Sequence, residues 1–238
     1  MRDGFGHARA AAIDWVRISA DLDAQGWATE AGLLSGTECD ATAALYSGGG
    51  GFRSHVVMAR HGFGKGEYRH FSYPLPPLVQ ALRTELYPRL APLANRWHAR
   101  MGAKPRFPAD HVDFAARCHA AAQLRPTPLL LQYGPGDYNC LHPDLYGEHV
   151  FPLQVAVLLS EPSAAFEGGE FVITEQRPCI QTRAAVVPLR KGHAVIFAVN
   201  NRPVAGGRGD YQAKLRHGVC EVRRGQRHTL GIIFHDAL

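Results

Sequence analysis

The sequence predicts a mainly β chain with α: a C-terminal β domain, sandwich or barrel, with a helical N-terminal region packed on it. Three observations predict it. The second half breaks into short β-rich runs separated by Gly, Pro and Asn, among them "PTPLLLQYG", "HVFPLQVAVLLSEP", "GGEFVITEQ", "AAVVPLRKGHAVIFAV" and "RHTLGIIFHD". Several strands at such spacing argue for stacked or closed sheets. The first half shows helical periodicity instead, and the 238 residues, 46% hydrophobic, suffice for one sizeable core. The change of character falls near residues 120–126. The expected division is therefore 1–124, a helical and mixed support that is a candidate for substrate recognition, and 125–238, the β domain, the two integrated into one unit.

Residues 7–25 read as one amphipathic helix, interrupted by charges in a way a signal peptide is not. "GWATEAGLLS" reads as a short strand and turn. Ser35 with Glu38 forms a capping-box pattern that opens a helix through Tyr46. "FRSHVVMARHGFGKGEYRHFSYPLP" reads as extended segments around a glycine-rich bend. Over residues 76–101, Leu78, Leu82, Leu86, Leu90, Leu93 and Trp97 recur at helical spacing. Pro88 and Pro92 lie inside that pattern and are expected to kink or divide the helix.

Bulk properties bound the function. No run of about 18 apolar residues exists, so no membrane span is expected. Five scattered cysteines, an odd number with no C-x-x-C pair, predict reduced thiols in a cytoplasm. A formal charge of +5 and a pI of about 9.1 permit a polyanionic partner without requiring one.

The chemistry concentrates in three places. His142 and Asp144 stand two apart after a Gly-Pro turn, and on a strand they would share a face. His217 opens the run "HGVCEV" and supplies a third ligand candidate. Two imidazoles and one carboxylate form the facial triad of non-haem Fe(II) oxygenases, which leaves positions open for co-substrate and O₂. Ten residues after His217, Arg227 and Thr229 share a strand face, a guanidinium fork and a hydroxyl suited to a carboxylate. Tyr133 precedes His142 by nine residues and offers a phenol. A metal site beside a carboxylate site suggests 2-oxoglutarate.

Taken in order, "QYGPGDYNCLHPD", "FEGGEFVI", "PLRKGHAVIF" and "HGVCEVRRGQRHTLGIIF" resemble the Fe(II)/2-oxoglutarate-dependent dioxygenases, especially the prolyl-hydroxylase-like branch. The resemblance covers residues 128–236. It implies a double-stranded β-helix (jelly-roll) core as the catalytic domain. It implies Fe(II) on His142, Asp144 and His217, 2-oxoglutarate on Arg227, Thr229 and Tyr133, and O₂ as oxidant. The whole chain also resembles a narrower bacterial family of such oxygenases described as acting on alkylated, damaged nucleic acid. One position departs from that family: Pro143 stands between the ligands where Gln is common. Proline removes an amide donor and leaves both ligand side chains in place.

The resemblance implies oxidative hydroxylation or demethylation of alkylated bases, with succinate and CO₂ released. A protein hydroxylase of the same class, acting on proline or another side chain, and a non-catalytic metal- or ligand-binding jelly roll stay open beside it. Arg53, Arg60, Tyr68 and Arg69, in a basic and aromatic stretch, and Tyr146 are the candidate substrate contacts. His111 with Asp113 mimics a metal pair but is expected to be structural. His149 and His193 are expected to be non-ligands, and Cys140 and Cys220 to pack.

Overall fold

The strand "LQVAVL", Leu153–Leu158, breaks the alternation expected of a sheet with one wet face: all six residues are buried. A strand covered on both faces belongs at the centre of a layered structure, and the computed structural model places it there. It describes residues 6–104, 106–145, 147–207 and 209–238.

In chain order the helices are α1 (His7–Ala12), α2 (Trp15–Gln25), α3 (Gly36–Ala44), α4 (Pro77–Arg100) and α5 (His111–Ala120). The strands are β1 (Trp27–Glu30), β2 (Phe52–Val57), β3 (Gly64–Lys65), β4 (Glu67–Phe71), β5 (Leu129–Tyr133), β6 (Tyr138–His142) and β7 (Leu153–Leu158). They continue as β8 (Phe166–Gly168), β9 (Phe171–Gln176), β10 (Arg183–Val187), β11 (Ala194–Ala198), β12 (Asn201–Gly206), β13 (Gly209–Val219), β14 (Val222–Gly225) and β15 (Arg227–Ile232). A seven-stranded sheet runs β1-β11-β7-β15-β5-β4-β2, and a second runs β10-β9-β13-β6-β3 with β12 on β13. Every pairing within them is antiparallel. Phe171 of one sheet packs on Phe197 of the other, ring centroids 5.3 Å apart, which closes the sandwich. The architecture is the jelly roll.

The N-terminal half does more than support. Its β1 forms one edge of the large sheet, and β4 with β2 forms the other. Its longest helix, α4, is clamped to the chain end by Arg83, which is 1% exposed. The Arg83 guanidinium donates to the Ile233 and Phe234 carbonyls at 3.0 and 2.9 Å and meets Asp236 Oδ1 at 2.6 Å.

Several expectations hold and several do not. The capping box is present: Ser35 Oγ accepts from the Glu38 N–H, and the Ser35 N–H donates to Glu38 Oε2 at 2.8 Å. The helix over 7–25 is two helices, because Ile13 is extended and Asp14 caps α2 by accepting from the Arg17 N–H. Pro88 and Pro92 do not divide α4, which runs unbroken through both. Its buried face of Leu82, Leu86, Leu90, Leu93 and Trp97 holds it together, a case of tertiary packing overriding local propensity. α5 was not expected; it buries His111, Phe114 and Cys118 on one face. His111 is indeed structural, its Nε2 donating to the Phe234 carbonyl at 2.9 Å. Cys140 and Cys220 are exposed, not packed.

Candidate metal and co-substrate site

β6 and β13 lie side by side with His142 directly opposite His217. The two strands approach closely because residue 218 is glycine. A Cβ there would lie 2.7 Å from the Asn139 carbonyl oxygen, inside contact distance. The imidazoles consequently face one another with centroids 4.3 Å apart. Asp144, just past β6, is 5% exposed and turns its carboxylate to both rings: Oδ1 is 3.3 Å from His142 Nε2, and Oδ2 is 3.4 Å from His217 Nε2. One ligand atom from each of the three lies within 4.8 Å of the others.

The proton positions say what such a cluster is fit for. His142 Nδ1 lies 2.7 Å from the Cys140 carbonyl, which can only accept, so Nδ1 carries a proton and Nε2 is the nitrogen left to face a metal once the ring is neutral. Nε2 faces an Asp144 carboxylate oxygen at 3.3 Å, longer than the 2.7–2.9 Å of a charge-assisted hydrogen bond. Two ring nitrogens around one buried carboxylate are the donor set of a divalent transition metal, and a cation between them satisfies all three. Burial disfavours the Asp144 charge, yet the flanking His142 and His217 outweigh it and hold the carboxyl well below its usual range. Burial depresses His217, against the pull of Asp144. His142 is half-buried; burial lowers its pKa, but Asp144 and the Cys140 carbonyl raise it above the ordinary value.

Arg227 and Thr229 project from β15 of the opposite sheet into the same cavity, of about 350 Å³. Arg227 is 1% exposed, and its Nη1 donates to Thr229 Oγ1 at 2.6 Å. Its Nε has no hydrogen-bond partner, and among the described residues no carboxylate forms an ion pair with the guanidinium. Burial lowers its pKa to about 10, with Tyr133 and Glu170 acting in the other direction. Two aromatic rings also flank the guanidinium, Tyr133 at 5.6 Å and Phe166 at 5.9 Å. The Gly-Gly-Glu turn makes room for it, since a Cβ on Gly169 would lie 2.9 Å from Arg227 Cδ. Tyr133, opposite Arg227 in the β5–β15 register, is fully buried, and its hydroxyl accepts from Asn139 Nδ2 at 3.4 Å. A buried cation without a carboxylate is costly, and a site that holds one is fit for an acidic ligand.

The structure thus brings His142, Asp144, His217, Arg227, Thr229 and Tyr133 to one cavity. Of the candidate substrate contacts among the described residues, only Tyr68 lines it. Arg53 donates to the Pro126 carbonyl at 2.8 Å outside the lining, and Arg60 is exposed on the Met58–Arg60 turn. Arg69 lies on the face of β4 opposite Tyr68, its guanidinium 4.7 Å from the Tyr46 ring centroid. Tyr146 lies outside the described residues. The cavity also takes in Phe63, Leu141 and Leu145 at its mouth, each at least 44% exposed, and Gln154 in its wall. The last had a signal in the sequence: it is the one polar residue in the strand "LQVAVL".

The fold and this site define the class, a 2-oxoglutarate/Fe(II) oxygenase, an oxidoreductase. Residues 66–237 match the profile of the family described as "Oxygenase, catalysing oxidative methylation of damaged DNA", and the chain belongs to that family. An uncharacterised protein present in two strains of Mycobacterium tuberculosis is 46% identical over 167 residues, 70% of this chain and 72% of the relative. Among solved structures, a 2OG-Fe(II) oxygenase-family oxidoreductase from Burkholderia pseudomallei shares the fold with a TM-score of 0.55 at 15% identity, covering 95% of this chain and 94% of the other. A prolyl hydroxylase from Trichoplax adhaerens, solved with a hypoxia-inducible-factor peptide fragment, does so with a TM-score of 0.56 at 13% identity, covering 96% and 91%. No helix among the described residues is long and apolar enough to cross a membrane.

Proposed function

We propose that this enzyme uses Fe(II), 2-oxoglutarate and O₂ to oxidise alkylated nucleic-acid bases, with His142, Asp144 and His217 holding the iron. The observation that carries the proposal is the pairing of two features in one cavity: a two-histidine, one-carboxylate cluster and a buried guanidinium without an acidic partner among the described residues. When bound, iron and 2-oxoglutarate would activate O₂, which is the oxidant: one of its oxygen atoms would enter succinate as 2-oxoglutarate loses CO₂, and the other would be inserted into a substrate C–H.

The protein's own groups do the rest. Arg227 neutralises the distal carboxylate of the dicarboxylate, and Thr229, which already accepts from Arg227 Nη1, orients its hydroxyl toward the same end. Tyr133 walls that end and shuts water out. The Cys140 carbonyl holds His142 in the tautomer that presents Nε2 to the metal. Residues 1–124 and 125–238 act as one integrated unit, because both halves furnish strands of the sheet that carries Arg227.

A nucleic-acid substrate is supported by the description of the family and by a formal charge of +5. Exposed Arg60 and Lys65 flank Phe63 at the mouth, where phosphates and a base pulled out of its stack would meet the surface. Oxygen inserted into an N-methyl group gives a hydroxymethyl amine that sheds formaldehyde, so the chemistry removes a methyl group. Three exposed free thiols, on Cys140, Cys179 and Cys220, fit a reducing cytoplasm.

The test is turnover with Fe(II) and 2-oxoglutarate on methylated oligonucleotides and on proline-bearing peptides. Equal amounts of succinate and formaldehyde from an oligonucleotide are expected. A one-oxygen mass gain on the peptide, with no formaldehyde from any oligonucleotide, would make the enzyme a side-chain hydroxylase. No succinate under any condition would make the chain a binding module.

A further inference from the structure

We infer that Gln154 is the residue that selects the substrate base, its amide reading the N6/N7 edge of an adenine. The inference rests on the nucleic-acid reading above and deepens it. Gln154 is 5% exposed, lies in the wall of the cavity, and its Oε1 has no hydrogen-bond partner among the described residues. A buried amide left this way weakens the fold. The assignment of its oxygen and nitrogen interchanges by a flip, so the side chain can offer a ligand either an acceptor or a donor.

Register locates it relative to the other groups. On β7, residues 154, 156 and 158 share a face, and Gln154 and Ala156 both line the cavity. Leu158 stands level with Thr229 and Ala156 with Gly231 on β15. Gln154 is four residues beyond Leu158, about 13 Å along the strand. A dicarboxylate anchored at Arg227 and Thr229 has four carbon–carbon bonds of about 1.5 Å each and ends well short of it. On the other side, Gln154 is the register partner of Phe197, whose ring lies 4.6 Å from that of His217. Gln154 therefore belongs to the part of the cavity that borders the triad and is left for the substrate.

Around it the wall is apolar, with Leu129, Ala156 and Phe197. A ligand's polar edge finds an amide there, one donor beside one acceptor. Adenine answers with the N6 amino donor and the N7 acceptor, which an amide pairs in bidentate fashion. Guanine presents two acceptors on that edge and leaves the amide mismatched.

Wild type, Gln154→Leu and Gln154→Met are compared on oligonucleotides carrying a single N1-methyladenine or N1-methylguanine, scoring formaldehyde and succinate. Wild type is expected to favour adenine by about tenfold or more in kcat/KM. Both variants are expected to bring the two bases within about threefold, mainly by raising KM for adenine, and to melt at or above the wild-type temperature because a shielded polar atom is removed. A variant that keeps the wild-type preference, while wild type still releases formaldehyde, overturns the assignment and leaves the nucleic-acid reading standing. Succinate from wild type with formaldehyde from no base overturns both.

Discussion

His142 and His217 face each other as direct register partners across β6 and β13, and the carboxylate of Asp144 reaches the Nε2 of each within 3.4 Å. Two of the three groups sit on paired strands, so the cluster is built before any ligand arrives. A divalent cation should therefore bind the native state far better than the unfolded chain. Adding Mn²⁺ is expected to raise the melting temperature in proportion to the logarithm of free metal, and a chelator to reverse it. His217→Ala and Asp144→Asn should abolish the rise; an equal rise in both would place the metal elsewhere.

Arg227 is a buried charge in search of a carboxylate. Arg227→Met is expected to leave folding stability unchanged or to raise it by about 1–4 kcal/mol, since an apolar side chain of similar size replaces an unpaired cation. The same substitution should raise the apparent KM for 2-oxoglutarate about a hundredfold, through the loss of a bidentate charged contact. Urea unfolding and succinate kinetics measure the two halves; a destabilised variant with a normal KM would give Arg227 a structural role instead.

His111 predicts an acid limb in stability. Burial, with the nearby Arg83 charge, lowers its pKa to about 4 from an ordinary 6.5. Between those values the unfolded chain holds the proton and the native state does not, so stability rises with pH across that window and falls on acidification. The loss totals about 3 kcal/mol and is complete only below pH 4, once the native state has also taken up the proton. His111→Gln keeps a donor for the Phe234 carbonyl and cannot titrate. The slope of unfolding free energy between pH 7 and 5 should then be shallower by roughly one proton, and an identical slope would show that other groups carry it.

Pro92 lies exposed inside α4 and lacks the N–H that would bond to the carbonyl four residues back. Pro92→Ala is expected to stabilise the protein by about 1–3 kcal/mol, read as a higher urea midpoint at unchanged cooperativity. No change would mean that the helix has already relaxed around the ring.

Much of the site was legible because its chemistry is written in short strings: His-Pro-Asp, the Gly-Gly-Glu turn and Arg-His-Thr each keep their residues on one strand face or one turn. The capping box of α3 was legible for the same reason, with donors and acceptors three residues apart. What escaped depends on contacts between distant segments. α4 survives two prolines because its apolar face is buried, which no local propensity reveals. Arg69 alternates with Tyr68 on β4, so a basic, aromatic stretch that reads as one surface splits between two faces. The three N-terminal strands of the large sheet were expected at most as short extended pieces, since pairing partners for β1 and β4 come from more than fifty residues away.

The central claim is that the triad holds a metal and that Arg227 holds a dicarboxylate beside it. Calorimetric titration of 2-oxoglutarate into the protein with and without Mn²⁺ tests both at once. The account predicts one equivalent bound per chain, only when Mn²⁺ is present, and none in His217→Ala. Binding of equal strength without metal, or undiminished in that variant, would contradict it.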